Sequence, residues 1–147
     1  MSLLSPADQD RLRESFDEMT TPVRVLFFTQ TLDCDQCLQT RQILDELPAL
    51  SDKIAIEEVN FILEKDKAAQ YGIDRVPALA LLSQDANGQT RDTRIRFLGT
   101  PAGYEFVSLV QALILAGGHD SQLTPENRAR VAAVSTPTTI QVFSTPT

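Results

Sequence analysis

Residues Val23 to Gln30 (VRVLFFTQ) form a short, β-branched and aromatic run that is nearly continuous in apolar side chains, the pattern of a strand buried on both faces. Soon after it comes all of the chain's cysteine, Cys34-Asp35-Gln36-Cys37, and then Leu38, Ile43, Leu44 and Leu47 at helical spacing, stopped by Pro48. This strand-to-helix junction constrains the fold more than any other feature. A C-x-x-C on the first turn of a helix brings two thiols within disulfide reach. The first cysteine lies at the helix N-terminus, where unpaired N–H groups and the macrodipole favour a thiolate. The thiolate is the attacking species in thiol–disulfide exchange. The reading is therefore Cys34 as nucleophile and Cys37, one turn on and deeper, as the resolving thiol.

Other uses of two cysteines fit less well. A structural zinc site takes four ligands, and the chain offers this pair and one distant histidine, His119 in a Gly-Gly-His-Asp turn. A secreted disulfide scaffold carries more cysteines, spaced farther apart. No metal is expected. The charge balance, 13 basic against 20 acidic residues for a net −7, argues against nucleic acid and anionic membranes as partners. Asp8, Asp10, Arg11 and Arg13 interrupt any apolar run at the N-terminus, and the apolar stretch near Ala112 to Ala116 is too short to span a bilayer. The expected location is cytoplasmic.

The remaining elements give an α/β architecture. Ser5-Pro6-x-Asp8 opens a first helix with Leu12, Phe16 and Met19 along one stripe, ended by Thr20-Thr21-Pro22. Ile54 to Phe61 reads as a strand, Leu63 to Tyr71 as a short helix closed by Gly72, and Pro77 to Ser83 as a strand. Asn87-Gly88 signals a hairpin, Arg94 to Leu98 the returning strand, and Tyr104 to Ala116 an amphipathic helix closed by Gly117-Gly118. From residue 23 onward the order is β-α-β-α-β-β-α. It predicts a four-stranded mixed sheet with helices on both faces, its first two strands parallel through a right-handed crossover.

After about residue 120 the pattern restarts. Thr124-Pro125-Glu126 opens a helix through about Val134, and Thr136 to Ser144 then matches Thr21 to Thr29 at a constant offset of 115 residues, including the Thr-Pro pair and one Phe. The reading is a domain over 1–120 and the start of a second, truncated unit of the same kind over 121–147. Its strand, with Ile140, Val142 and Phe143, is expected to need a partner: either an edge of the first unit's sheet or its counterpart in a second copy, which would make a homodimer.

Several stretches together resemble a known family: Val25 to Thr29 (VLFFT), Cys34 to Cys37, Tyr71-Gly72-Ile73 with Arg75-Val76-Pro77, and Arg96 to Phe106 (RFLGTPAGYEF). The chain looks like the N-terminal unit of the glutaredoxin-like protein disulfide oxidoreductases, which carry two thioredoxin-fold units in tandem, and is similar to the N-terminal region of the alkyl hydroperoxide reductase flavoprotein subunit. The resemblance implies the thioredoxin fold and dithiol–disulfide exchange on protein substrates, with no tightly bound cofactor and with electrons from outside, such as a flavoprotein reductase. It also implies that the Val76-Pro77 bond is cis and packs against the cysteine pair, Val76 and Pro77 forming the substrate platform. The chain departs from the pattern at Asp35 and Gln36, where an aromatic residue or proline is usual, and at Phe28, where thioredoxins place a buried carboxylate. Glu57 and Glu58 are candidate substitutes as proton acceptor, and Arg41 a candidate partner for the thiolate. Two further readings stay open: an electron-relay or docking unit with little activity of its own, and a glutathione-dependent glutaredoxin. The latter ranks lower, because no cationic cluster lies near the motif. Asp33 and Asp35 beside Cys34 predict a poise toward the reducing side.

Overall fold

The sheet has the order β2-β1-β3-β4, and it is described by a computed structural model covering residues 2–145. The strands are β1 (Val23–Thr29), β2 (Ile54–Asn60), β3 (Ala78–Gln84) and β4 (Thr90–Leu98), and the helices are α1 (Pro6–Phe16), α2 (Asp35–Asp45), α3 (Lys65–Gln70), α4 (Tyr104–Ala116) and α5 (Pro125–Ala132). β1 pairs β2 in parallel and β3 antiparallel, and β3 pairs β4 antiparallel, so β1 and β3 are interior. All of β1 except Arg24 is buried, as its nearly unbroken apolar sequence requires. Alternation then divides its side chains. Val23, Val25 and Phe27 join Leu79 and Leu81 in a core covered by α1, α2 and α4, through Phe16, Leu44, Leu109 and Leu113. Leu26 and Phe28 join Ala80 and Leu82 in a second core on the opposite face, covered by α3 through Ala68 and by Ile73. The mixed sheet between helical layers is the architecture the sequence predicts.

The local signals act as read. The Ser5 hydroxyl accepts the Asp8 N–H at 3.2 Å and caps α1. Gly72 takes φ +68° after α3. Asp85 accepts the N–H groups of Asn87 and Gln89 through its carboxylate and that of Gly88 through its carbonyl, closing the hairpin.

Some boundaries differ from expectation. α1 stops at Phe16, and Met19 is buried from the turn beyond it. α3 starts at Lys65 because the Asn60 side chain accepts the N–H groups of Ile62 and Leu63 and holds them in a turn. β4 begins at Thr90, four residues before the expected Arg94, because backbone pairing at a sheet edge does not require an apolar sequence. Its register shifts between Ala80 and Leu82, opposite Arg94 at φ +64°.

The C-terminal expectation is corrected in one respect. α5 forms, with Thr124 accepting the Asn127 N–H, but residues 137–145 form neither helix nor strand. Ile140, Val142 and Phe143 are 84%, 86% and 90% exposed, and among the described residues the sheet gains no fifth strand. A strand exists through its neighbours, and the repeat carries the sequence of an interior strand without the two strands that flank β1. Pro146 and Thr147, the end of the expected second unit, lie outside the described residues. Among the described residues no helix is long and apolar enough to cross a membrane.

Candidate active site

Cys34 is the N-cap of α2, with φ −144° and ψ 81°, and its backbone carbonyl accepts the Cys37 N–H at 3.2 Å. The preceding Asp33, in the loop between β1 and α2, takes φ +55°. Cys34 and Cys37 form a disulfide with Cα atoms 5.4 Å apart. Their surroundings differ. Cys34 is half-buried at the helix start, whereas Cys37 is 4% exposed on the inward face. Cys34 is thus partly open to solvent beside the amides of the helix N-terminus, and Cys37 is enclosed.

The Val76-Pro77 bond is cis, as the resemblance implies. Pro77 is buried and Val76 half-buried, and β3 begins at the next residue, with Ala78 paired to Phe28 at the end of β1. The Pro77 carbonyl accepts the Gly99 N–H at 2.9 Å. The next residue, Thr100, reaches the motif helix: its hydroxyl lies 2.9 Å from the Thr40 hydroxyl and 3.4 Å from the Gln36 carbonyl oxygen. The loop over residues 99–103 therefore bridges the proline loop and the cysteine motif. Thr40 and Thr100 were not among the residues singled out from sequence. The signal was there: Thr40 follows Cys37 by three residues on the same helix face, and Thr100 stands in the Gly-Thr-Pro-Ala-Gly run.

The candidate helpers are engaged elsewhere. Arg41 donates to Glu58 at 2.6 Å. Glu57 accepts from Lys67 and from Arg24, and the hydrogen bond from the Lys67 ammonium holds its carboxyl below the ordinary carboxylate range. Both carboxylates thus have cationic partners across strand and helix. Phe28, 0% exposed, packs with Tyr71, their ring centroids 6.2 Å apart. Among the described residues the buried polar side chains are Thr29 and Thr40, and no carboxylate is buried. His119 lies 3.5 Å from Glu18, in the turn after α4.

Exposed apolar side chains gather at this end of the sheet. β1 and β2 finish here, β3 begins, and β4 ends at Leu98 opposite Ala78. Leu32, Leu38, Ile62, Leu63 and Tyr104 on the loops and helix starts of this end, and Leu98 at the end of β4, are each between 47% and 81% exposed. Leu38, placed in the helix by its spacing in the sequence, faces outward at 65%.

A four-stranded mixed sheet between helical layers, with a C-x-x-C disulfide at the first strand-to-helix junction and a cis proline opening the third strand, defines a thioredoxin-type thiol–disulfide oxidoreductase. Comparison with known proteins gives the same class. No protein-family model matches the chain. A probable thioredoxin from Methanothermobacter thermautotrophicus is 30% identical over 78 residues, covering 52% of this chain and 80% of that protein. The F subunit of alkyl hydroperoxide reductase from Xanthomonas campestris pv. phaseoli is 33% identical over 119 residues, covering 79% of this chain and 19% of that protein. Among solved structures, the NTD_N/C domain of alkyl hydroperoxide reductase AhpF from Enterococcus faecalis superimposes with a TM-score of 0.79 at 29% identity, over 88% of this chain and 60% of that one. A protein disulfide oxidoreductase from Aeropyrum pernix shares the fold, with a TM-score of 0.73 at 22% identity over 88% of this chain and 54% of that one. The chain belongs to the thioredoxin family. It spans about a fifth of the length of the hydroperoxide reductase proteins it matches.

Proposed function

We propose that the chain exchanges dithiol for disulfide with protein substrates, Cys34 attacking and Cys37 resolving. The observation that carries this reading is the unequal exposure of the pair, Cys34 half-buried at the helix N-terminus and Cys37 enclosed behind it. In the reduced domain the Cys34 thiolate attacks one sulfur of a substrate disulfide. The substrate S–S bond breaks, a mixed disulfide with Cys34 forms, and the other substrate sulfur leaves as a thiolate that takes a proton. Cys37 then gives up its proton and attacks the Cys34 sulfur, closing the internal disulfide and releasing the second substrate thiol. Two electrons and two protons pass to the substrate. An external dithiol system restores the domain, and the resemblance points to a flavoprotein reductase.

Val76 and Pro77 serve as the platform in this proposal. Among the described residues no hydrogen bond is made by the Val76 backbone, so its N–H and C=O are available to an extended substrate segment. The exposed apolar side chains around the motif favour a macromolecular substrate over a small disulfide. A cytoplasmic setting belongs to the same reading, because a reducing cycle needs a compartment that supplies electrons. The exposed 137–145 segment supports a second partner reading, self-association of two copies.

Reduction of insulin disulfides tests the proposal. The wild-type chain with a dithiol donor is expected to reduce insulin, Cys34→Ser to fall to background, and Cys37→Ser to accumulate a mixed disulfide at Cys34. The relay reading is favoured by one observation: the matched relatives include much larger proteins of which this chain covers about a fifth. A wild-type chain inactive on insulin yet rapid in exchange with a second dithiol domain would select it.

A further inference from the structure

We infer that Thr100 is a positioning residue, its hydroxyl holding the substrate platform in register with the cysteine motif through Thr40 and the Gln36 carbonyl. This rests on the dithiol–disulfide reading above and adds to it how the two halves of the site stay aligned. The Thr40 hydroxyl reaches the Gln36 carbonyl, one helical turn back. The Thr40 and Thr100 hydroxyls lie 2.9 Å apart, either one able to donate to the other, and the Gln36 carbonyl oxygen lies within reach of both, at 2.9 Å from Thr40 and 3.4 Å from Thr100. The two hydroxyls and the carbonyl of a residue between the two cysteines thus form one hydrogen-bonded cluster. On the other side, Gly99 donates its N–H to the Pro77 carbonyl at 2.9 Å. The proline loop, residues 99 and 100, and the first turn of α2 are thus linked in series.

No other hydrogen bond among the described residues performs this link. α2 receives hydrogen bonds from residues 99–103 only through the Thr100 hydroxyl, and none from residues 74–77. Thr40 is fully buried, and no buried side-chain polar atom among the described residues lacks a partner. Removing the Thr100 hydroxyl therefore takes from the enclosed Thr40 hydroxyl one of its two partners, while packing continues to hold the two loops near each other. A substrate segment laid along Val76 must present its sulfur in line with Cys34. In-line attack tolerates little displacement, and a shift of about 1 Å costs on the order of a hundredfold in rate. Small disulfides do not use the platform and approach Cys34 unguided.

The test compares two substrates on four variants of the full chain. Thr100→Val keeps the side-chain shape and removes the hydroxyl, Thr100→Ser keeps the hydroxyl, Thr40→Val removes its partner, and the fourth is the Thr40→Val/Thr100→Val double variant. Expected is a loss of about tenfold in kcat/KM for insulin in Thr100→Val. Exchange with oxidised dithiothreitol stays within about twofold of wild type, because that substrate makes no use of the platform. Thr100→Ser restores insulin reduction. The double variant is no worse than either single one, because both remove the same bond. Equal rates for wild type and Thr100→Val on insulin, equal losses on both substrates, or additive losses in the double variant each overturn the inference. A wild-type chain that reduces neither substrate overturns the exchange reading itself. Thermal unfolding of each variant establishes that it is folded; if Thr100→Val fails to fold, Thr40→Val carries the same comparison.

Discussion

At residue 34 the loop that follows β1 enters the helix, through Asp33 at φ +55° and Cys34 at φ −144°. The attacking sulfur therefore lies where backbone amides lack partners, flanked by the exposed carboxylates Asp33 and Asp35. The amides favour the thiolate and the carboxylates oppose it. Replacing both by Asn is expected to lower the pH at which Cys34 forms its thiolate, seen as a shift in the absorbance titration of reduced protein; an unchanged midpoint would show that solvent screens both charges. A second residue-scale prediction concerns Asp92. Arg96 donates two hydrogen bonds to it, at 2.9 and 2.7 Å, and another to the Tyr71 carbonyl while lying 5.7 Å over the Tyr71 ring. The Arg96 hydrogen bonds hold the Asp92 carboxyl below its ordinary range. A carboxylate lowered in the folded state contributes stability above its unfolded pKa, about 3.9, and loses it as pH falls through the folded value. Asp92→Asn is therefore expected to cost about 0.5–1 kcal/mol near neutral pH, after solvent screening, and close to nothing in strong acid. Denaturant melts at the two pH values check this, and an equal loss at both would refute it.

At the scale of elements, the Gly117-Gly118 pair does more than end α4. The Gly117 carbonyl accepts the N–H groups of Thr20 at 2.7 Å and Thr21 at 2.9 Å, latching the α1–β1 connection to the end of α4. A Cβ on Gly118, at φ +94°, would meet the Thr20 hydroxyl at 2.4 Å, and one on Gly117 would meet the Met19 side chain at 2.7 Å. Gly118→Ala combines an unfavourable φ with a clash and is expected to destabilise the chain by about 1–3 kcal/mol. Denaturant unfolding measures this; a stabilised variant would mean that the turn relaxes freely. The sequence showed two glycines closing a helix, which requires only local reading. Their packing against residues 19–21 arises from a contact across nearly a hundred positions, which local reading cannot supply.

At the scale of the molecule, the packed part ends near residue 120. Every residue from 121 to 145 is exposed, and α5 buries none of its own. Removing the chain beyond Gln122 is expected to leave the unfolding midpoint within about 2 °C and the cysteine pair fully oxidisable, since little buried surface is lost. A fall of more than about 5 °C would show that the segment packs on the domain. The exposed apolar side chains of the tail predict that the full chain self-associates at high concentration while the shortened one remains monomeric, as read by light scattering. Two monomers would remove the self-association reading.

The motif and the order of elements were legible because they rest on short-range physics. Turn residues, helix caps, periodicity and the three-residue cysteine spacing each act within a few positions. The same signals predict a strand at 136–144 that the single chain does not form, because a strand is completed by neighbours and among the described residues this segment has none in the chain's own sheet. Tertiary structure alone decided that Leu38 faces outward, that Glu57 and Glu58 pair with cations rather than with the cysteines, and that Thr100 meets Thr40 across sixty residues. The sequence determined that two thiols sit at a helix start. Which groups surround them depended on long-range packing, where burial and partner geometry, rather than local propensity, set each side chain's place.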